Sequence, residues 1–108
     1  MRTQYNNIVF RSHLESLWAR FFDRERLTWL YEPETFREGI YSYTPDFKVS
    51  NYIWVEVKGK TIPLNNSLRL CPRPLIVLCG SPSVHFAILV TDRIVQLPYW
   101  EAALDRVA

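Results

Sequence analysis

Residues 43–60 read YTPDFKVSNYIWVEVKGK, and this stretch decides the fold. Two runs of alternating side chains flank Ser50-Asn51, a small polar pair suited to a tight turn. Strand alternation puts Ile53, Val55 and Val57 on one face and Trp54, Glu56 and Lys58 on the other. Folding the hairpin about Asn51 sets Phe47 against Val55 and Asp46 against Glu56. Side chains opposed in this way hold their Cβ atoms about 4.5–5.5 Å apart. Two carboxylates at that separation repel one another. Three arrangements would relieve them: one acid keeps its proton, an Arg or Lys neutralises the pair, or a divalent cation sits between them. Hard cations such as Mg²⁺ take carboxylate oxygens, usually one or two together with water and phosphate. The simpler reading is an exposed hairpin face carrying Asp46, Glu56 and Lys58 as solubilising charges.

Upstream, residues 12–25 (SHLESLWARFFDRE) have a helical pattern, with Leu14, Leu17, Trp18, Phe21 and Phe22 on one side. Ser12 is placed to cap this helix, and Ser12-x-x-Glu15 forms a capping box. Glu15 also sits at the edge of the apolar stripe, where it can face the sheet. Thr28–Phe36 reads as a strand in spite of Pro33, which indicates an edge position or a bulge. After a turn at Arg37-Glu38-Gly39, Tyr41–Val49 and Tyr52–Lys58 complete a three-strand meander.

Downstream, residues 59–73 form a polar connection with two prolines and a short helix near Leu64–Leu70. Pro74–Cys79 is an unbroken apolar run, the pattern of a strand covered on both faces. Val84–Val90 and Ile94–Leu97 form a hairpin turning at Thr91-Asp92-Arg93. The tail from Tyr99 is helical, with Trp100, Ala103, Leu104 and Val107 on one side. A meander followed by a crossover to a buried strand predicts a mixed sheet in an α/β fold.

The chain has 108 residues, 48% of them hydrophobic and 15% aromatic, which suits one domain spanning residues 1–108. A net charge of +2 permits nucleic-acid binding without arguing for it. No apolar run approaches the roughly 18–20 residues needed to span a bilayer, and residues 1–10 lack the apolar core of a signal peptide. The expectation is a protein without membrane contact, in the cytoplasm of a bacterial, archaeal or phage-infected cell. Cys71 and Cys79 match no common zinc spacing and read as reduced, partly buried thiols. His13 and His85 read as capping or surface groups, and Glu32 and Glu34 as charges on an edge strand able to approach the carboxylates.

Pro45-Asp46, then Glu56-Val57-Lys58, then Gly59 resembles the PD-(D/E)XK nuclease superfamily. RSHLESLWARFF is similar to the first helix of many members, and WLYEPETF to the strand that follows it, so the resemblance covers residues 11–60. It implies a restriction-endonuclease-like sheet and a Mg²⁺-dependent DNA endonuclease, with Mn²⁺ able to substitute and no nucleotide cofactor. Asp46 and Glu56 would be metal ligands, with the Val57 carbonyl as a third. Lys58 would position the attacking water or meet the developing charge, and Glu15 would supply the helix-borne carboxylate. Phosphate contacts would come from Lys48, Lys58, Lys60, Arg69 and Arg73, with Arg11 and Arg20 adding to them. After Gly59 the chain departs from the family pattern, because a short Pro-broken connection stands where many members have an amphipathic helix. With no room for a recognition domain, the expected form is a homodimer acting on branched DNA, joined through the C-terminal helix or the Val84–Leu97 hairpin. A restriction-like or homing-type duplex cutter is the alternative. A non-catalytic nucleic-acid-binding or assembly subunit is the competing class.

Overall fold

The computed structural model describes residues 2–60 and 66–108. Its centre is the expected hairpin: β6 (Phe47–Val49) runs antiparallel to β7 (Ile53–Lys58), with Phe47 opposite Val55 and Val49 opposite Ile53. Ser50 and Asn51 both have positive φ, 54° and 67°. They are the central residues of a β-turn in which the Tyr52 N–H donates to the Val49 carbonyl at 3.3 Å, and Tyr52 completes a three-residue loop before Ile53. β3 (Trp29–Tyr31) pairs antiparallel with β6 on its other side. The meander is therefore present, and β3 is the sheet edge that Pro33 foreshadowed.

A crossover leads from β7 to β8 (Leu75–Ser81), which lies parallel to it. β9 (Val84–Val90) and β10 (Ile94–Leu97) then add antiparallel strands, giving the order β10-β9-β8-β7-β6-β3. The sheet is mixed, with its one parallel pair at the crossover.

Helices α1 (His13–Arg24) and α2 (Trp100–Val107) pack on one face of this sheet. Trp18, Ala19 and Phe22 of α1 and Trp100 and Ala103 of α2 join Ile53, Val55, Ile76 and Leu78 in the main core. The opposite face is also covered. Trp54, Leu75, Val77 and Cys79 pack there under Leu68 and Cys71, with Phe36 and Tyr43 against them. This corrects the reading of an exposed hairpin face: Trp54 and Glu56 are buried like the residues between them.

Two long strands of the sequence reading are each broken. β3 stops at Tyr31 because Glu32 turns left-handed, with φ of 47°. Phe36–Glu38 instead forms β4, which pairs only with β5 (Tyr41–Tyr43) across Gly39-Ile40, so the turn falls one residue later than expected. Thr44-Pro45-Asp46 separates β5 from β6, since proline cannot donate to a ladder. The detached hairpin folds over the sheet, and Phe36 meets Trp54 edge-to-face at 5.1 Å.

The short helix in the crossover is a 3₁₀ turn, Asn66–Leu70. The part of that expectation covering Leu64 and Asn65 lies outside the described residues. At the N-terminus, β1 (Thr3–Tyr5) and β2 (Ile8–Phe10) form a further hairpin that the sequence reading left unassigned. Its turn, Asn6-Asn7, has the same positive φ pair as Ser50-Asn51. Among the described residues no helix is long and apolar enough to cross a membrane.

Candidate active site

Asp46 and Glu56 are both carried into the interior, with only 1% and 7% of their surfaces exposed. Burying a carboxylate is costly unless its oxygens find donors, and each oxygen here has one. Asp46 Oδ2 accepts from the Val57 backbone N–H at 2.7 Å, across the hairpin. Asp46 Oδ1 accepts from Arg11 Nη2 at 2.6 Å. Glu56 Oε1 accepts from the Tyr43 hydroxyl at 2.6 Å, and Lys58 Nζ lies 3.2 Å from Oε2.

Glu15 is buried at the first turn of α1 and has two engagements at once. It completes the capping box, the Glu15 N–H donating to Ser12 Oγ and the Ser12 N–H to Glu15 Oε1. It also faces the acids: the Tyr31 hydroxyl donates to Oε1 at 2.7 Å and Arg11 Nη2 is 3.2 Å from Oε2. The cap and the site-facing role are therefore compatible, because they use different groups of the carboxylate's surroundings.

Glu32 is the residue the sequence reading undervalued. Its carboxylate takes Arg11 Nε at 2.6 Å. Its left-handed backbone, held by the Glu32 N–H donating to the Asp46 carbonyl at 2.8 Å, brings it there. The signal was the Glu32-Pro33 step, where proline ends the strand and the residue before it redirects the chain.

Arg11 thus spans Glu15, Glu32 and Asp46. Burial pulls its pKa down, but the charges of Asp46, Glu15 and Glu32 outweigh that and raise it. Asp46 is pushed well above the usual carboxylate range, first by burial and then by the charge of Glu56, against the lowering effect of the Val57 N–H and Arg11. The charge of Glu56 therefore bears on Asp46 across the hairpin. Burial, with Glu56 beside it, pushes the Tyr43 hydroxyl far above the tyrosine range, so it stays a donor. Tyr31 is raised to about 12, chiefly by burial.

The basic residues divide by partner. Lys48 lies over the Trp54 ring at 4.8 Å, on the face that carries Glu56, and Lys60 is exposed just past β7. Arg20 stacks on Tyr5 at 4.3 Å. Arg69 pairs with Glu38 at 2.9 Å. Arg73 donates to the carbonyls of Cys71, Leu68 and Thr91, which ties the end of the crossover together. Glu34 is exposed, and His13 meets Thr3 Oγ1 at the surface. Cys71 and Cys79 are free, buried thiols, and burial raises the Cys71 pKa to about 12.

Among the described residues no three acidic, His or Cys side chains are grouped as a ready metal cage. Mg²⁺ does not require one, since it commonly takes one or two carboxylates and completes its shell with water and phosphate. The donors are hard oxygens of the kind such an ion takes, with Glu15, Asp46 and Glu56 buried, Glu32 partly exposed, and Arg11 and Lys58 paired with them. No family model, curated protein or solved structure matches this chain.

Proposed function

We propose that this chain is a Mg²⁺-dependent endonuclease with a restriction-endonuclease-like fold, hydrolysing phosphodiester bonds in DNA. The observation that carries the reading is the burial of Asp46 and Glu56 side by side on one hairpin with Lys58 against Glu56. Buried like charges are costly to stability, and a divalent cation would repay that cost in function.

Asp46 and Glu56 would hold the metal, with the Val57 carbonyl beside them. Bound Mg²⁺ would supply Lewis acidity toward the phosphate and lower the pKa of the attacking water. Lys58, already turned toward Glu56, would orient that water or meet the charge developing on phosphorus. Tyr43 and Tyr31 hold Glu56 and Glu15 in place by hydroxyl hydrogen bonds that oxygen-rich sites need for orientation. Lys48 and Lys60 would meet flanking phosphates, a contact that positions the strand without reading its sequence. The form we propose is a homodimer acting on branched DNA.

The test is cleavage of supercoiled plasmid and of a four-way junction with Mg²⁺, Mn²⁺ or EDTA. Wild type should cut only with metal, and Asp46→Ala and Lys58→Ala should each lose at least about a hundredfold in rate. Cutting in EDTA would sink the metal mechanism. One observation favours the competing class of a non-catalytic binding subunit: Arg11 and Lys58 already pair with the carboxylates. That class predicts DNA binding indifferent to metal and no cutting under any condition.

A further inference from the structure

Arg11 makes more contacts with the carboxylates than any other side chain in the site, yet its own side chain is 58% exposed, against 2% for Asp46. Of this pair only Arg11 can leave without opening the core. Its backbone is anchored independently, the Arg11 N–H donating to the Tyr31 hydroxyl at 3.1 Å. Its Nε is anchored too, on Glu32. Asp46 Oδ2 is committed to the Val57 N–H within the hairpin, so Oδ1 is the oxygen free to change partner, and Arg11 Nη2 holds it.

We propose that Arg11 is a resident counter-cation that gates the site. It neutralises Asp46 and Glu15 while no metal is bound. A divalent cation displaces its Nη2 from Asp46 Oδ1, and the released guanidinium, still tethered by Glu32, turns to a phosphate oxygen of the nucleic acid. This inference rests on the metal-dependent reading above. Metal and guanidinium exclude each other on one oxygen, so Arg11 weakens metal binding in the free protein. The same exchange makes metal and phosphate binding mutually reinforcing, since each ligand takes one half of an internal ion pair. Glu32 serves as the pivot, which accounts for a left-handed non-glycine residue at the end of an edge strand.

Calorimetric titration of Mn²⁺ alone into wild type, Arg11→Gln and Arg11→Lys tests this. Arg11→Gln should bind Mn²⁺ about tenfold more tightly or better, the scale set by losing one charge-assisted contact. Arg11→Lys should fall between, because one ammonium cannot span three carboxylates. With Ca²⁺ in place of a cutting metal, Arg11→Gln should bind duplex DNA less tightly than wild type. Unchanged or weaker Mn²⁺ affinity in Arg11→Gln would overturn the gate while leaving the nuclease reading standing. Absence of Mn²⁺ binding in both proteins at millimolar concentration would overturn both. Should Arg11→Gln fail to fold, phenylglyoxal labelling of wild-type Arg11, followed by peptide mass mapping, decides the matter. Labelling should rise several-fold when Mn²⁺ is added, and an unchanged rate would reject the exchange.

Discussion

The Val57 backbone N–H donates to Asp46 Oδ2 at 2.7 Å, so a side-chain carboxylate takes a donor at the end of the β6–β7 ladder. This bond explains how Asp46 is aimed. It is held by the strand that carries Glu56, and any shift in hairpin register would lose both the bond and the juxtaposition of the acids.

Asp46 should weaken the fold at neutral pH. Its pKa is raised in the folded protein, by burial first and Glu56 second, while the unfolded chain titrates near the ordinary value of about 3.9. Between those two values the folded state binds more protons, so stability falls as pH rises through the window and the loss is complete above it. Asp46→Asn keeps an acceptor for Val57 and cannot ionise. It should be more stable than wild type at pH 8, with the gap closing below about pH 4. Urea melts at pH 4 and pH 8 measure this, and a variant weaker than wild type at pH 8 would mean that the Arg11 pair dominates.

Tyr43 tests the orientation of Glu56. Its hydroxyl is a donor at any working pH, because its pKa lies far above the tyrosine range. Tyr43→Phe removes one of two partners of a buried carboxylate. The expected cost is about 1–3 kcal/mol in stability and roughly 10–100-fold in metal affinity, read by urea melts and Mn²⁺ titration. A loss of stability without a loss of affinity would make Tyr43 a packing residue only.

Gly80 should tolerate no side chain. Its φ is +111°, and an added Cβ would lie 2.3 Å from the Val84 carbonyl oxygen across the β8–β9 turn. Its own carbonyl accepts from Trp18 Nε1 at 2.9 Å, so any shift also disturbs the seat of α1. Gly80→Ala should cost about 2 kcal/mol or more. Gly59→Ala, with nothing among the described residues within 4 Å of the new atom, should stay within about 0.5 kcal/mol of wild type. Equal melting midpoints for the two variants would contradict this.

His85 caps α2 from a neighbouring strand. The Trp100 N–H donates to His85 Nε2 at 2.9 Å, which leaves Nδ1 to carry the proton toward the Ser81 carbonyl at 3.1 Å. Tyr99, at the cap position, offers the helix no side-chain bond of its own. His85→Ala should therefore cost about 1–2 kcal/mol and speed hydrogen exchange at the Trp100 amide. Protection unchanged at Trp100 would show that the imidazole is dispensable there.

Local patterns in the chain alone determined much of this molecule. Alternation and a turn centred on Asn51 set the β6–β7 register, because a slip of one residue would invert every side chain. Ser12 and Glu15 marked the start of α1, and the apolar run at 74–79 marked a strand covered on both faces. Asp46, Glu56 and Lys58 were legible as a group since they lie on one hairpin, within reach of a period-two argument. Tertiary structure decided what has no period. The left-handed turn at Glu32 cut a strand in two and brought a carboxylate to Arg11, 21 residues away. The detached β4–β5 hairpin covered the face that alternation alone left open, and so buried Glu56. Pairing of Arg11 with Glu32 and Asp46 depends on where β3 ends and β6 begins in space, whereas its pair with Glu15 is a local i,i+4 contact. Ion pairs between residues far apart in sequence arise only when packing brings distant segments together, and no local pattern encodes that meeting.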